Sequence, residues 1–575
     1  MRVLGINDGH NAAACLYEDG RVVAAVQEER LRRVKNWAGL PMQAVRKVLE
    51  LTGTAPSDID FVAMNGHYVA FPMTREELMH EYRTINDFGV TLRRWLRRAA
   101  KRAAELTPLY RMYRARRQAA RVRPLVEAGI PRDRIKFVDH HTAHAAAAYY
   151  GWANFKDDVL LLTCDGSGDG VCATVNVARD GTITRLHEIR QADSIGNIYA
   201  MVTYLMGMVP LEHEYKLMGL APYADPKGAD SVFQELKALI RFSPTNPLVW
   251  ERSPDCPETY CSYRFFKDLL ERKRFDWVAG GVQKFSEYML TEWVRSCVKA
   301  TGIRRVALGG GVFMNVKVNK LIMELPEVDE LFVYPTCGDE TNAMGAAYAV
   351  YAEQAGVESM TPLRDVYWGQ EFSDEDVEAA LRQFAFQTPV RYERINPIEP
   401  RVAALLAEGK VVARFKGKEE FGARALGNRS ILANPSDPAV IREINEAIKA
   451  RDFWMPFAAS ILAERNPDYL VNPKGIRPPY MILSFDTTAR WTEICAGIHP
   501  FDRTVRPQEV YADWNPSYHA LLREFERLTG IGGVLNTSFN LHGYPIVSRP
   551  EDALDVFDRS GLTRLAIGNW LVCKQ

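Results

Sequence analysis

Two histidines four residues apart, His140 and His144, lie in the run Asp139-His140-His141-Thr142-Ala143-His144, just ahead of AAAAYYGW. On a helix, residues i and i+4 share a face, so this pair can chelate one metal ion while His141 points elsewhere. Two aspartates in polar turns, Asp165 in CDGSGDG and Asp339 in CGDE, extend the pair to a His2Asp2 set. Mixed nitrogen and oxygen donors suit Fe(II), Zn(II) or Mn(II), and donor type alone does not choose among them. The bland alternative is a pair of ordinary core or surface histidines. A second chemical signal is Gly309-Gly310-Gly311 after the apolar run VAL, where backbone can approach a nucleotide closely with Asn315 and Asn319 at hand. A crowded turn explains the same glycines equally well. Lys216, in KLMGLAPY, adds a point charge beside small residues, as an anionic substrate requires.

The C-terminal part carries cations in turn-like surroundings. Arg424 and Arg429 bracket GARALGNRS, Lys449 and Arg451 precede DFWMPF, Arg506 lies in RTVRPQ, and Asn536 and Ser538 belong to NTSFN. Guanidinium groups with amide and hydroxyl donors match a phosphate together with a planar, carboxylate-like group. Surface salt bridges account for any one of these cations, but poorly for five of them set among Gly, Asn and Ser. Cys256 and Cys261 form a lone C-x4-C pair, which does not make a zinc site.

The elements that position these residues repeat. Residues 2–30 read strand, Asp-Gly-His-Asn turn, strand, Asp-Gly turn, strand, and the pattern returns at 158–187. A repeat at that separation implies two related subdomains facing each other, and with the later Gly-rich turns it points to the actin, Hsp70 and sugar-kinase fold. After about residue 357 strands and helices mix without βαβ regularity, which predicts an α+β domain over 358–575. Between 91 and 123, TLRRWLRRAAKRAAELTPLYRMYRARRQAARVR holds a single acid, Glu105. Its helical spacing predicts a solvated cover helix, a membrane-surface contact or a face for an acidic partner. Formal net charge is zero over 575 residues, so no nucleic-acid partner is expected, and 47% hydrophobic content suits a globular enzyme. The nine scattered cysteines predict a reducing, cytoplasmic compartment without disulfides. The first residues read as a strand rather than a leader, and no run is long enough to span a bilayer.

Taken together, HHTAHAAAAYY, CDGSGDG, YKLMGLAPY, LGGGVFMN, CGDETNAMGAA, FGARALGNRSIL, IKARDFWMPFA and LNTSFNLHGYPIV resemble the nodulation-protein-U and cephem-type O-carbamoyltransferases. The resemblance implies an α/β chain with an actin-like, duplicated ribonuclease-H-like domain over 1–357, interrupted by a basic helical insertion at about 75–128. A YrdC-like domain over 358–575 would follow. It implies that the second domain makes carbamoyladenylate from carbamoyl phosphate and ATP with Mg2+. The first would then pass the carbamoyl group to a hydroxyl of a small-molecule or glycan acceptor. Carried over by motif, His140, His144, Asp165 and Asp339 match the metal ligands, with Fe2+ or another divalent ion as cofactor. His10 and Lys35 match groups near the transferred carbamoyl, Lys216, Gly310, Gly311 and Asn315 a nucleotide site, and Arg424, Arg429, Lys449, Arg506, Asn536 and Ser538 the carbamoyl-phosphate and adenylate pocket. Met455 departs from the Arg of close relatives, and Glu214-Tyr215 from their Pro-Gly. Rival readings are a kinase of the same fold and an Hsp70-like binding module. The acceptor and the oligomeric state stay open, a homodimer being one arrangement.

Overall fold

The computed structural model describes residues 1–67, 75–84, 108–259 and 262–575. The apolar stripe and arginines expected at 91–107, and Cys261, lie outside the described residues. The chain divides into two compact units, Met1–Glu28 with Asn36–Leu363, and Glu29–Lys35 with Arg364–Gln575.

In the first unit β1 (Arg2–Asn7), β2 (Ala13–Glu18) and β3 (Arg21–Gln27) form an antiparallel meander, and β4 (Phe61–Asn65) and β5 (Ile135–Val138) add in parallel beyond β1. A second meander, β6 (Val159–Gly168), β7 (Val171–Arg179) and β8 (Thr182–Arg190), follows. After a short pair, β9 (Ile240–Phe242) and β10 (Trp250–Arg252), strands β11 (Arg305–Gly309) and β12 (Glu330–Val333) join beside β6 in parallel. The orders β3-β2-β1-β4-β5 and β8-β7-β6-β11-β12 are therefore the same in sequence and sense. The hairpin loops Asp19-Gly20, Asp169-Gly170 and Asp180-Gly181 all have positive φ at both residues, the two-residue turn whose twist matches antiparallel strands.

Helix Asn342–Ala355, rich in Ala, packs on the first sheet and on helix His140–Trp152, which itself packs on the second sheet. A Cβ on Gly5 of β1 would stand 2.0 Å from the carbonyl of Ala343, and one on Gly345 would stand 1.9 Å from the carbonyl of Ala143. Only glycine at both points permits such backbone contact.

The second unit is built on one mixed sheet. Its strands are β13 (Val390–Arg394), β14 (Val412–Phe415), β15 (Arg429–Ala433), β16 (Ala458–Leu462), β19 (Pro507–Val510), β20 (Gly533–Ser538), β21 (Arg564–Ile567) and β22 (Trp570–Lys574), with β17 (Leu470–Val471) and β18 (Asp486–Thr487) as a separate pair. The order is β13-β22-β21-β14-β15-β20-β16-β19. Alternate residues serve opposite cores: Ala413, Phe415, Ile431, Leu565 and Ile567 on one face, Val412, Leu432 and Ala566 on the other. Helices cover both faces, which is why the central strands β14 and β15 are buried along their whole length. Among the described residues no helix is long and apolar enough to cross a membrane.

Residues Glu29–Lys35 belong with the second unit although both flanks belong to the first, which corrects the single cut near 357. Charge pins them there. Arg30 pairs with Glu419 at 3.0 Å and donates to the Gly422 carbonyl at 2.6 Å, with side chains only 2% and 5% exposed. Arg33 lies 3.6 Å from Asp552 and reaches the Ile546 carbonyl at 3.4 Å. Removing one member of a buried pair strands the other charge, at a cost of about 3–5 kcal/mol. Arg30→Met is therefore expected to destabilise the second unit by about that amount, and Arg30→Met with Glu419→Met to recover most of the loss. Urea unfolding of the full chain measures both, and wild-type stability of the single variant would refute the assignment.

Candidate functional site

His140 opens the helix His140–Trp152, and its first turn is fixed by two carboxylates. Asp139 accepts the Thr142 N–H at 2.9 Å and pairs with Arg185. Asp169, in the β6–β7 turn, accepts the backbone N–H groups of His140 and His67, each at 3.0 Å. Anionic groups suit this end of a helix, where unpaired N–H groups carry partial positive charge.

The four expected ligands converge. His140 Nε2 stands 3.1 Å from Asp165 Oδ2 and 3.2 Å from His144 Nε2, and His144 Nε2 stands 3.5 Å from Asp339 Oδ1. All four donor atoms lie within 4.8 Å of one another. Two donors ~2.1 Å from a shared ion are ~3.0 Å apart at a right angle and ~3.4 Å at the tetrahedral angle, close to the 3.1, 3.2 and 3.5 Å pairs here. Electrostatics agree. Burial opposes a charged His140, yet Asp339, Asp165 and Asp169 outweigh it and hold its pKa up at about 9. His144 moves up against burial through hydrogen bonds to Asp165 and Asp339. Asp165, despite burial, falls well below the carboxylate range because both imidazoles face it. The pocket thus demands positive charge. His141 does point away: its ring bonds Thr163 Oγ1 at 2.8 Å and the Val171 carbonyl at 3.1 Å, and burial followed by its charged neighbours drives its pKa down to about 3.

Around this centre the backbone is crowded. A Cβ on Gly310 (φ +104°) would sit 2.3 Å from the Cys164 carbonyl, and one on Gly311 would sit 3.0 Å from Asp165 Oδ1. The glycine run is therefore needed for packing against β6, whatever else it binds. Asn315 caps the helix Val316–Glu324 through the Val318 N–H and exchanges hydrogen bonds of 2.9 and 3.1 Å with Gln283. Lys216 is half-buried on the short helix Glu214–Leu220, where burial pushes Glu214 up to about 7. His10 lies in the β1–β2 turn, its carbonyl accepting from Asn7 Nδ2 at 2.8 Å.

In the second unit Lys449 and Ser538 meet. The buried ammonium donates to Ser538 Oγ at 3.1 Å and to Asn540 Oδ1 at 2.7 Å. Burial, then Arg451, then Lys35 depress the Lys449 pKa well below the usual lysine range. Lys35, expected beside the first-domain chemistry, lies with the second unit and adds to this cationic field, because Arg30 and Arg33 hold its segment there. Arg429 is fully buried, donating to the carbonyls of Gly417, Asn428 and Gln370 and stacking 3.8 Å over Phe415. The Asn536 amide nitrogen donates to the Ala425 carbonyl, Ser460 Oγ and Gln508 Oε1. Both side chains organise the floor of the sheet. Arg424 and Arg506 are half-buried, and Met455 is buried. Asp169, Asn65 and Asn540 are site contacts that the motif reading passes over. Asp169 is legible as the second carboxylate of CDGSGDG, whereas Asn65 acts through Asn7, 58 residues away, and leaves no local signal.

Residues 2–348 match the carbamoyltransferase N-terminus family and residues 403–574 the carbamoyltransferase C-terminus family. The chain is 30% identical to the uncharacterized protein sll1178 of Synechocystis sp., across 100% of this chain and 96% of that protein. It is 31% identical to nodulation protein NolNO of Sinorhizobium fredii, over 98% of this chain and 79% of that one. Nodulation protein U of Bradyrhizobium diazoefficiens is 26% identical over 94% and 92%.

The site predicts its own sensitivity. A Cβ on Gly168 would lie 2.0 Å from the His140 ring, so Gly168→Ala displaces a ligand while removing none. Affinity for added Co(II), followed by visible absorption, should fall about tenfold in Gly168→Ala and further in His144→Ala. Wild-type titration curves for both variants would exclude the four-ligand site.

Proposed function

The chain belongs to the carbamoyltransferase family, and from that premise we propose that it is an ATP-dependent O-carbamoyltransferase with its two half-reactions in different units. The observation that carries the division is that each unit holds its own polar centre. One is the His140–His144–Asp165–Asp339 cluster, and the other is the buried Lys449 with Ser538 and Asn540. We read the first unit as actin-like, supported by its two sheets of matching order, and the second as YrdC-like.

Carbamoyl phosphate is a poor donor to a neutral hydroxyl. In the second unit it loses inorganic phosphate to water. A carbamate oxygen then attacks the α-phosphorus of ATP, carried with Mg2+, and pyrophosphate leaves. Lys449, Lys35, Arg451, Arg424 and Arg506 offer positive charge to these anions, and the depressed pKa of Lys449 rises as an anion binds beside it. In the first unit the acceptor oxygen attacks the carbamoyl carbon and AMP leaves. His10 is the base we assign to the hydroxyl proton, and Lys216, Gly310, Gly311 and Asn315 flank the adenylate. His140, His144, Asp165 and Asp339 would hold Fe2+ or another divalent ion, which supplies Lewis acidity when bound. The acceptor is a small-molecule or glycan hydroxyl.

With ATP and carbamoyl phosphate, Lys449→Ala should lose pyrophosphate release by about a hundredfold. His144→Ala should keep that release but form no carbamoylated product when labelled carbamoyl phosphate and an acceptor panel are read by mass spectrometry. ADP as the nucleotide product would favour the kinase reading, and slow phosphate release alone the binding module.

A further inference from the structure

Arg121 lies near the end of the basic stretch that the sequence leaves without a role, and it does not face water. It projects from helix Pro108–Glu127 with its side chain 11% exposed, and its Nε and Nη2 grip Asp8 Oδ2 and Oδ1 at 2.7 and 2.8 Å. Asp8 is itself 3% exposed. The same guanidinium donates to the carbonyls of Gly66 and Asn65, each at 2.7 Å, and lies 4.8 Å over the Phe137 ring. One planar cation thus ties together the β1–β2 turn, the end of β4 and β5. Four donated bonds in one plane use the fork of Arg in a way that the single point charge of Lys does not.

Two lines of contact run from this clamp into the transfer centre. Asn65, whose backbone Arg121 holds, sends its side chain to Asn7 Oδ1 at 2.9 Å and to within 3.5 Å of His140 Nδ1. Asn7 in turn donates to the carbonyls of His10 at 2.8 Å and Asn11 at 3.3 Å. The far side of the His140 ring is the Nε2 that faces Asp165 and His144. Groups that contact the remote nitrogen of a ligating imidazole set its orientation, and their loss lowers metal affinity or activity by about 10–100-fold.

We infer that Arg121 is a positioning residue: through Asp8 and Asn65 it holds the His10 turn and the His140 ring in register, so the basic insertion contributes to the transfer centre's geometry. The catalytic part of this inference rests on the carbamoyl-transfer reading, while its metal-binding part stands apart from it. The full-length protein is tested as Arg121→Ala, Arg121→Lys, Asp8→Asn and the Arg121→Ala/Asp8→Asn pair. Readouts are Co(II) titration by visible absorption, carbamoyl transfer, pyrophosphate release and thermal unfolding. Arg121→Ala and Asp8→Asn should each weaken Co(II) binding and slow transfer by about tenfold or more, with pyrophosphate release within about twofold of wild type. The double variant should be no worse than the worse single one, because both act through one clamp. Arg121→Lys should restore less than half of either loss. Asp8→Asn preserves shape, so it carries the test if Arg121→Ala does not fold. Wild-type Co(II) affinity in folded variants, additive losses, or full rescue by lysine overturns the inference. A wild-type protein that binds Co(II) yet transfers no carbamoyl overturns the functional reading instead.

Discussion

Everything in the first unit depends on backbone meeting backbone along the helix Asn342–Ala355. Gly5 lets β1 touch it at Ala343, and Gly345 lets the histidine helix touch it at Ala143. Backbone meets backbone at both contacts, so the helix on the first sheet and the helix on the second form one rigid pair. Asp339 lies just ahead of that helix, and the histidines open the helix that packs on it. The ligand set, drawn from points up to 199 residues apart, is thus aligned by two methyl-sized absences. A Cβ at Gly5 would push strand from helix and one at Gly345 helix from helix, and close-packed interiors do not absorb such a shift.

What the sequence discloses follows from range. The Asp-Gly hairpins and the His140/His144 pair are local patterns, so their geometry can be read from spacing, and the repeated turns reveal the duplicated order of strands. The candidate quartet is legible because the two histidines share one motif and each aspartate lies in a motif of its own. Arg429 is not legible in the same way. A cation among Gly and Asn residues serves a ligand or a set of buried carbonyls equally well, and here three carbonyls hold it. Arg121 looks like one more member of a solvated basic helix until the chain brings Asp8, 113 residues away, beside it. Arg30 and Glu419 are 389 residues apart, and neither neighbourhood announces the other.

The two polar centres solve opposite electrostatic problems. Around His140 and His144 carboxylates outweigh burial, and the pocket holds positive charge. Around Lys449 burial and neighbouring cations disfavour even its own charge. Neither environment suits the other's ligand. The two centres belong to different units and favour opposite signs of charge.

The seven residues Glu29–Lys35 give the chain an unusual thread. The backbone passes between the units three times, at 28/29, 35/36 and 363/364, instead of once. A protease that nicks the chain near Leu363 severs one passage and leaves two, so the second unit stays tethered by its own buried Arg30. The thread also orders biosynthesis. These residues are made before the rest of the second unit, whose sheet is completed only by β22. Arg30 therefore waits for Glu419 and Arg33 for Asp552, and gene fusion or exchange at a single joint cannot transplant the second unit intact.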